Sequence, residues 1–430
     1  MRILVVGSGG REHALVWGLA RSPGAPELVA APGNPGIAEL ARCVALDGSD
    51  PVAVADLADD LDVDLVVVGP EGPLVAGVAD AVRARGRLAF GPGAAAARLE
   101  GSKAWMKQVL ADAGVPTARH RAFDAAQHEA ALAFLDGMAP PYVVKTDGLA
   151  AGKGVVVTES LTEARDAVGA YLSGAAFGDA GRTLVIEEGL IGPELSLLVV
   201  CNGDPDAAFP LAPAQDFKRV GDDDRGPNTG GMGAYSPVPV AGPGVVEMVM
   251  ERAVRPTLAC LAADGIEYRG VLYAGMMLTP DGPKVIEYNV RFGDPECQVV
   301  VPRATGDFAA LLRAAAAGEP VTVSFSTDAC VTVVLAAEGY PASPRTGDVI
   351  EGLDAAGMVP GVTVFHAGTR RAGDDLLTAG GRVLDVTATG ADLAEARARA
   401  YAAVGMIHWP GMQYRRDIAA AAVSESGDAS

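Results

Sequence analysis

Along residues 2–90, short apolar runs alternate with amphipathic ones. The runs at 2–6, 27–31, 43–46, 64–68 and 87–90 read as strands, and helical periodicity at 11–20, 51–61 and 74–85 reads as helices. Strands alternating with helices imply a parallel α/β sheet. A connecting helix is expected over 102–113, and Pro116 with the polar stretch to 128 marks a boundary. From 142 to 201 strands dominate, with a helix near 161–172. Residues 215–237 read as one long Gly/Pro/Asp-rich loop, which in a compact domain is functional or disordered. Residues 244–264 are helical, and 268–279 and 283–291 read as paired strands. Beyond about 326 the character changes. Strands near 330–336, 362–367 and 382–387 precede a helix at 392–407, an α+β pattern, and the Ala/Ser tail from about 419 reads as disordered. No internal repeat is present.

The polar positions inside one apolar run carry the most chemistry. In Lys284–Glu296, Glu287, Asn289 and Arg291 recur at every second position and share a strand face. Ile286, Tyr288 and Val290 are expected to point into a core. A carboxylate, an amide oxygen and a guanidinium together suit a phosphate-bridging divalent cation beside an anion clamp. The competing reading is a solvated face on an edge strand.

Four other segments bear on that choice. Gly7-Ser8-Gly9-Gly10-Arg11-Glu12-His13 follows the first strand, where glycines let backbone amides approach a phosphate. A nicotinamide dinucleotide is disfavoured. Glu12 stands where the third glycine belongs, and strand two ends Val-Ala-Ala-Pro-Gly-Asn without an acid for a ribose. A phosphate or phosphosugar at the turn is expected instead, the alternative being glycines for packing only. Gly33–Gly36 and Gly69-Pro70-Glu71 end two other strands and are expected to line the same crevice. His13 reads as a helix residue with a local hydrogen bond. Val144–Val155 contains Lys145 and Gly152-Lys153-Gly154 but departs from a P-loop: Gly148 is one residue too close, and Gly154 replaces the Ser or Thr. It reads as a glycine-rich loop between strands, able to fold over a triphosphate, against an ordinary hairpin. Leu184–Glu188 followed by Gly192-Pro193-Glu194 resembles a hinge whose backbone pairs with adenine while Glu194 reaches ribose hydroxyls, although acids after a strand are common. Gln215–Gly221 with Gly226–Ala234 exposes many amides suited to an oxyanion, or is a disordered loop.

The bulk properties narrow the classes. At 430 residues and 50% apolar content, the chain holds about two to four domains with sizeable cores. A net charge of −20 opposes nonspecific nucleic-acid binding. The 5 cysteines are odd in number and scattered, which points to reduced thiols in a cytoplasm rather than a disulfide or zinc framework. The apolar run before the first glycine loop is too short for a secretion signal, and none approaches a membrane span.

Taken in order, these segments resemble the ATP-grasp enzymes, and among them the phosphoribosylamine–glycine ligase (glycinamide ribonucleotide synthetase) family. The resemblance covers essentially the whole chain. It runs through Gly7–His13, Ala31–Asn34, Val68–Glu71, Glu100–Lys103, Asp147–Val155, Asn228–Pro237, Arg291–Glu296, His366–Thr369 and Gly380–Leu384. Departures are Thr146, Cys297, the hinge variation Gly189-Leu190-Ile191, and the lack of an acid in Val271–Met277. The resemblance implies a multidomain α/β protein: an N-terminal parallel α/β, Rossmann-like domain (1–102), an ATP-grasp domain (103–326) with a mobile lid subdomain at about 120–190, a small C-terminal α+β domain (327–424) and a disordered tail (425–430). It implies ATP as cosubstrate and Mg²⁺ or Mn²⁺ held by Glu287 and Asn289. Lys103 and Lys145 would hold the α/β phosphates, Gly152, Lys153 and Gly154 would close over the β/γ phosphates, Glu187 and Glu188 would mark the adenine hinge, and Glu194 the ribose. Arg291 and Asp216 are the catalytic candidates, with Arg291 clamping glycine. Gly9, Gly10 and Glu71 would bind 5-phosphoribosylamine. A cytoplasmic monomer acting on small molecules, without nucleic acid or membrane partners, is expected. The rivals are another ATP-grasp carboxylate–amine ligase, a dehydrogenase, and a non-catalytic nucleotide-binding regulator.

Overall fold

The computed structural model describes residues 1–149, 154–174 and 183–428. Gly152 and Lys153 lie outside the described residues. The N-terminal sheet is parallel, with strands in the spatial order Arg42–Cys43, Glu27–Pro32, Arg2–Gly7, Leu65–Val68, Leu88–Phe90. Leu4, Val6, Val66 and Val67 are fully buried, as expected of strands covered by helices on both faces. The order reverses at the central strand, so a crevice opens beyond the carboxyl ends of Arg2–Gly7 and Leu65–Val68.

A second, antiparallel sheet orders His120–Asp124, Thr183–Glu188, Tyr142–Thr146 and Val155–Thr158. Helices His128–Asp136 and Leu161–Leu172 pack on it, and Phe123, Leu135, Val144, Val168, Leu184 and Ile186 form a core of its own. A third sheet orders Phe209–Pro210, Glu194–Asn202, Arg269–Thr279 and Gly282–Asn289. Here the period-two reading fails at one residue. Gly275 opposes Glu287 but Met276 opposes Val285, which leaves Ile286 unopposed in a bulge. Val285 is fully buried, and Ile286 lines the adjoining cleft rather than a core. Tyr288 and Val290 are buried as expected.

The segment 215–237 is not one loop. Gln215–Asp216 and Gly233–Ser236 are strands in a sheet completed by Ala329–Ala336, Arg382–Gly390 and Val362–His366, and Arg219–Gly221 pairs with Arg225–Asn228 as a hairpin. One sheet thus crosses the expected 326/327 boundary. The end of the chain also differs from the expected disordered tail, because Ala420–Asp428 is helical and Ile418, Ala419 and Ala422 are buried. The 244–264 helix is α-helical over Pro243–Val249 and Arg255–Ala263, with a π turn at Met250–Val254 between them. Pro256 removes an N–H at that junction.

Candidate active site

The sheets enclose a cleft of about 800 Å³. Lys145 enters from the second sheet and is buried; its Nζ lies 3.1 Å from Glu187 Oε1 and donates to the Ile286 carbonyl at 3.2 Å. Lys107 reaches the other Glu187 oxygen at 2.9 Å and Thr117 Oγ1 at 2.7 Å, and Thr117 donates to the Val285 carbonyl. Glu187 is 2% exposed. Burial raises its pKa, but Lys145 and Lys107 outweigh that and the net shift is downward. The Glu187 carboxylate is enclosed by these two lysines in the cleft wall, beside the residues expected to mark the adenine hinge. Burial lowers the Lys107 ammonium to about 8 against the pull of Glu187.

Lys103 opens the helix Lys103–Asp112, which Ser102 caps by accepting from the Trp105 N–H. Asp147 Oδ1 accepts from the Ala104 N–H at 2.7 Å, and Lys103 Nζ donates to the Gly148 carbonyl at 3.3 Å. The glycine-rich loop is therefore tied to a helix N-terminus at its first residues. Glu188 accepts from the Arg119 N–H at 2.9 Å, and Glu188, Gly189, Leu190, Gly192 and Pro193 form the hinge wall of the cleft.

Glu287 and Asn289 lie side by side on the cleft floor, opposite Gly275 and Tyr273. Burial raises the Glu287 pKa, but Lys218, Lys145 and Lys103 carry it down to about 2, so the carboxylate is ionised. Two oxygen donors of this kind fit a hard cation that takes its remaining ligands from phosphate and water. Among the described residues no group of three His, Cys, Asp or Glu side chains is arranged to hold a metal by itself. Lys218 Nζ stands 3.2 Å from Glu194 and 3.7 Å from Glu287, bridging the ribose and metal candidates. Burial pushes the neighbouring Asp216 carboxyl up to about 8, against Lys218.

Arg291 is held from the N-terminal side. It donates to Glu71 at 3.3 Å, to Glu100 at 3.0 Å and to Asn289 Oδ1 at 3.3 Å. Burial raises the Glu71 carboxyl, but Arg291 and Arg11 lower it to about 2. The glycine turn is occupied differently from the expectation. Gly9 N–H donates to Glu12 Oε2 at 2.6 Å, and a Cβ at Gly7 would meet Glu12 Cγ at 2.5 Å. A Cβ at Gly69 would overlap the same carboxylate, and one at Gly10 would overlap Asp385 of the last sheet. The glycines make room for an internal carboxylate and for the C-terminal domain. Gly9 and Gly10 lie outside the lining of this cleft, whereas Glu71, the third residue expected to bind phosphoribosylamine, lines it. His13 is the helix residue expected, its N–H donating locally to the Gly9 carbonyl at 3.0 Å, but its side chain reaches further. Its Nδ1 accepts from the His366 N–H at 2.8 Å, across to the last domain.

The cleft thus gathers Lys103, Lys145, Gly154, Glu188, Glu194, Asp216, Glu287, Asn289, Arg291 and Glu71, with Glu187 in its wall. Sequence reasoning missed Lys107, Arg11, Glu296, Asp294, Tyr340 and Arg382. Lys107 follows Lys103 by one helical turn and shares its face, a signal that was available. Tyr340 and Arg382 arrive from the last domain; Arg382 sits in the Gly380–Leu384 motif, which nothing in the sequence placed at the cleft.

Family models for the phosphoribosylglycinamide synthetase N domain, ATP-grasp (A) domain and C domain match residues 1–100, 101–297 and 330–421. The chain is 53% identical over 430 residues to a phosphoribosylamine–glycine ligase of Streptomyces coelicolor, covering 98% of this chain and 99% of that one. It is 50% identical over 420 residues to one of Brucella melitensis, covering 97% of each. It superposes on the crystal structure of a phosphoribosylamine–glycine ligase of Thermotoga maritima with a TM-score of 0.83 at 33% identity, covering 97% of this chain and 100% of that one.

Proposed function

We infer the function from one premise: the chain belongs to the phosphoribosylglycinamide synthetase family. It is an ATP-dependent carbon–nitrogen ligase that joins glycine to 5-phosphoribosylamine in purine biosynthesis, giving glycinamide ribonucleotide, ADP and phosphate. ATP and a divalent metal are used, and the oxygen pair of Glu287 and Asn289 suits Mg²⁺ or Mn²⁺.

A carboxylate is a poor electrophile until one of its oxygens can leave as phosphate. The glycine carboxylate therefore takes the γ-phosphoryl group of ATP, ADP departs, and the amine of phosphoribosylamine attacks the carbonyl carbon. Phosphate leaves and the amine gives up a proton. Phosphoryl transfer asks mainly for positioning and charge neutralisation. One observation carries the residue assignments: the hinge wall, the lysines, the oxygen pair and the arginine line a single cleft. Adenine rests against Glu188–Pro193, Glu194 meets the ribose, and Lys103 and Lys145 hold phosphates, with Glu187 keeping Lys145 in place. Glu287 and Asn289 would hold the metal, which when bound neutralises phosphate charge. Arg291, oriented by Glu71 and Glu100, clamps the glycine carboxylate through its planar fork. Asp216, beside Lys218, is the second catalytic candidate, and Glu71 faces the acceptor sugar. A closed cleft keeps water from the acyl phosphate.

The enzyme acts as a cytoplasmic monomer on small molecules, with neither nucleic acid nor membrane as partner. The charge of −20 supports the first exclusion. No helix among the described residues is long and apolar enough to cross a membrane. The test is ADP release with glycine while the amine acceptor is varied, with product identified by mass. Release that is indifferent to glycine, or equal with an unrelated amine, would assign the cleft to another ATP-grasp carboxylate–amine ligase.

A further inference from the structure

Asp216 and Lys218 belong to a strand-and-hairpin segment that continues through Arg219–Gly221 and returns as Arg225–Asn228. The hairpin tip is strained. Asp223 and Asp224 have φ of 56° and 51°, a left-handed backbone that residues with a side chain rarely adopt. Such strain persists only where the surroundings fix it.

Those surroundings come from the far end of the chain. Arg415 is 1% exposed, and its guanidinium is fully engaged. It grips Asp417 with two bonds of 2.7 and 2.5 Å, Asp224 at 2.6 Å and the Arg219 carbonyl at 3.2 Å. Its plane lies 4.7 Å from the centroid of Phe217, the residue between Asp216 and Lys218. Asp417 also accepts from the Asp223 N–H at 3.0 Å, and Asp222 accepts from the Arg416 N–H at 2.7 Å. The helix Leu393–Val404 fixes this segment in turn, because Tyr401 donates to the Arg415 carbonyl at 2.7 Å. A continuous set of contacts therefore runs from the last helices to the two active-site side chains. Without the guanidinium, Asp224 and Asp417 would repel each other, the left-handed turn would relax, and Phe217 would lose its cover. Lys218 sits within 4 Å of both Glu194 and Glu287, so a small displacement of its strand alters both contacts.

We propose that Arg415 is a positioning residue of the ligase: it meets no substrate, and it holds Asp216 and Lys218 at the reacting end of the cleft through Phe217 and the hairpin. The proposal rests on the reading of that end as the place where glycine is activated. Its signature is uncoupling. A misplaced wall lets water reach the glycyl phosphate, which then breaks down to glycine and phosphate, so ADP forms without product.

The test measures melting temperature, ATP binding, glycine-dependent kcat/KM and the ratio of ADP to glycinamide ribonucleotide. The variants are Arg415→Ala, Arg415→Lys, Phe217→Leu, Asp216→Asn and Lys218→Met. A ratio is insensitive to the fraction of protein that is folded, which a purely structural role would change. Arg415→Ala should lower kcat/KM for glycine by about a hundredfold, the scale of small misplacements. It should also raise ADP per product well above the wild-type value and weaken ATP binding by far less than it lowers kcat/KM, since Glu194 and Glu287 are disturbed only through Lys218. Arg415→Lys and Phe217→Leu should shift the ratio in the same direction by less, and they decide the matter if the alanine variant does not fold. A wild-type ratio and kcat/KM in the folded Arg415 and Phe217 variants, with Asp216→Asn and Lys218→Met inactive, overturns the proposal alone. Full activity in Asp216→Asn and Lys218→Met overturns the reading of the site and the proposal with it.

Discussion

Replacing Glu187 by Gln separates two roles that the sequence cannot distinguish. As an adenine contact, Glu187 would affect ATP binding alone. As the buried partner of Lys107 and Lys145, at 2.9 and 3.1 Å, it would affect stability as well. Burial holds Lys107 near 8 against an ordinary value of 10.5. That difference is already about 3 kcal/mol against folding with the lysine charged, at 1.36 kcal/mol per pH unit. Removing one partner of a buried pair costs about 3–5 kcal/mol. Lys107 limits its own share by losing its proton, which from about 8 adds roughly 1.4 kcal/mol at pH 7. The expected loss for Glu187→Gln is therefore about 1.5–5 kcal/mol at pH 7. The pH dependence has a definite sign. A lysine whose folded pKa is depressed binds fewer protons folded than unfolded, so stability rises with pH between its folded pKa and 10.5. In the variant that window opens at lower pH, and its deficit against wild type should shrink between pH 7 and 9.5. Urea unfolding at both pH values, with ATP titration on the same samples, is the assay. A variant within about 0.5 kcal/mol of wild type at both pH values, the range of ordinary surface changes, with weakened ATP binding would refute the buried-pair argument and return Glu187 to the hinge.

Arg291→Lys keeps the charge but loses the planar fork; glycine-dependent turnover should fall by about a hundredfold with ATP affinity nearly unchanged, and near-normal turnover removes the clamp role. Gly10→Ala places a methyl group on the Asp385 carboxylate and should cost about 1–3 kcal/mol in chemical unfolding; an unaffected midpoint would mean that the contact yields freely. His13, lowered to about 3 by burial and then by His366, is neutral in the fold and ordinary near 6.5 when unfolded, so stability is present above pH 6.5 and is lost as pH falls toward 3. His13→Gln should flatten that acid limb in unfolding curves taken from pH 7 to 4, and an unchanged slope counts against His13 as its source.

What the chain reveals by itself depends on how local the cause is. Glu287, Asn289 and Arg291 were legible because strand periodicity puts alternate residues on one face. Ile286 was not, because the bulge that turns it into the cleft arises from how Gly275 and Met276 pair on the partner strand. The 215–237 segment reads as a loop because its strands are only 2–4 residues long and owe their pairing partly to Ala329–Ala336, about a hundred positions away. The glycines around Glu12 announced a close approach but not what approaches. The expectation was a phosphate or phosphosugar, and the group found against Gly9 is the Glu12 side chain, from within the same turn. Glu187 shows the same limit: acidity after a strand is visible, enclosure between two lysines from different elements is not.

The distribution of apolar contact explains why the polar network around Glu187 matters for closure. Leu4, Leu195, Val331 and Ile407 belong to one continuous core, and Ile3, Leu198, Cys330 and Phe365 to another, so the N-terminal sheet, the sheet carrying Glu287 and Asn289, and the last domain are packed together. Gly10 against Asp385, and His13 and Asn34 against His366, reinforce that bed. The sheet carrying Lys145 has a separate core. Its ties to the bed near the cleft include polar ones: Lys107 to Glu187, Lys145 to the Ile286 carbonyl, and Asp147 to the helix that begins at Lys103. Apolar contacts of a merged core would have to be broken for that sheet to move, whereas a lysine can exchange a carbonyl for a phosphate oxygen at little net cost. A triphosphate in the cleft, held as proposed, would compete for Lys103 and Lys145 and thereby act on the contacts that join the two bodies. If Lys103 and Lys145 hold phosphates as proposed, nucleotide binding and the position of this sheet are coupled, while Glu287, Asn289 and Arg291 alternate with Tyr288 and Val290, which belong to the bed.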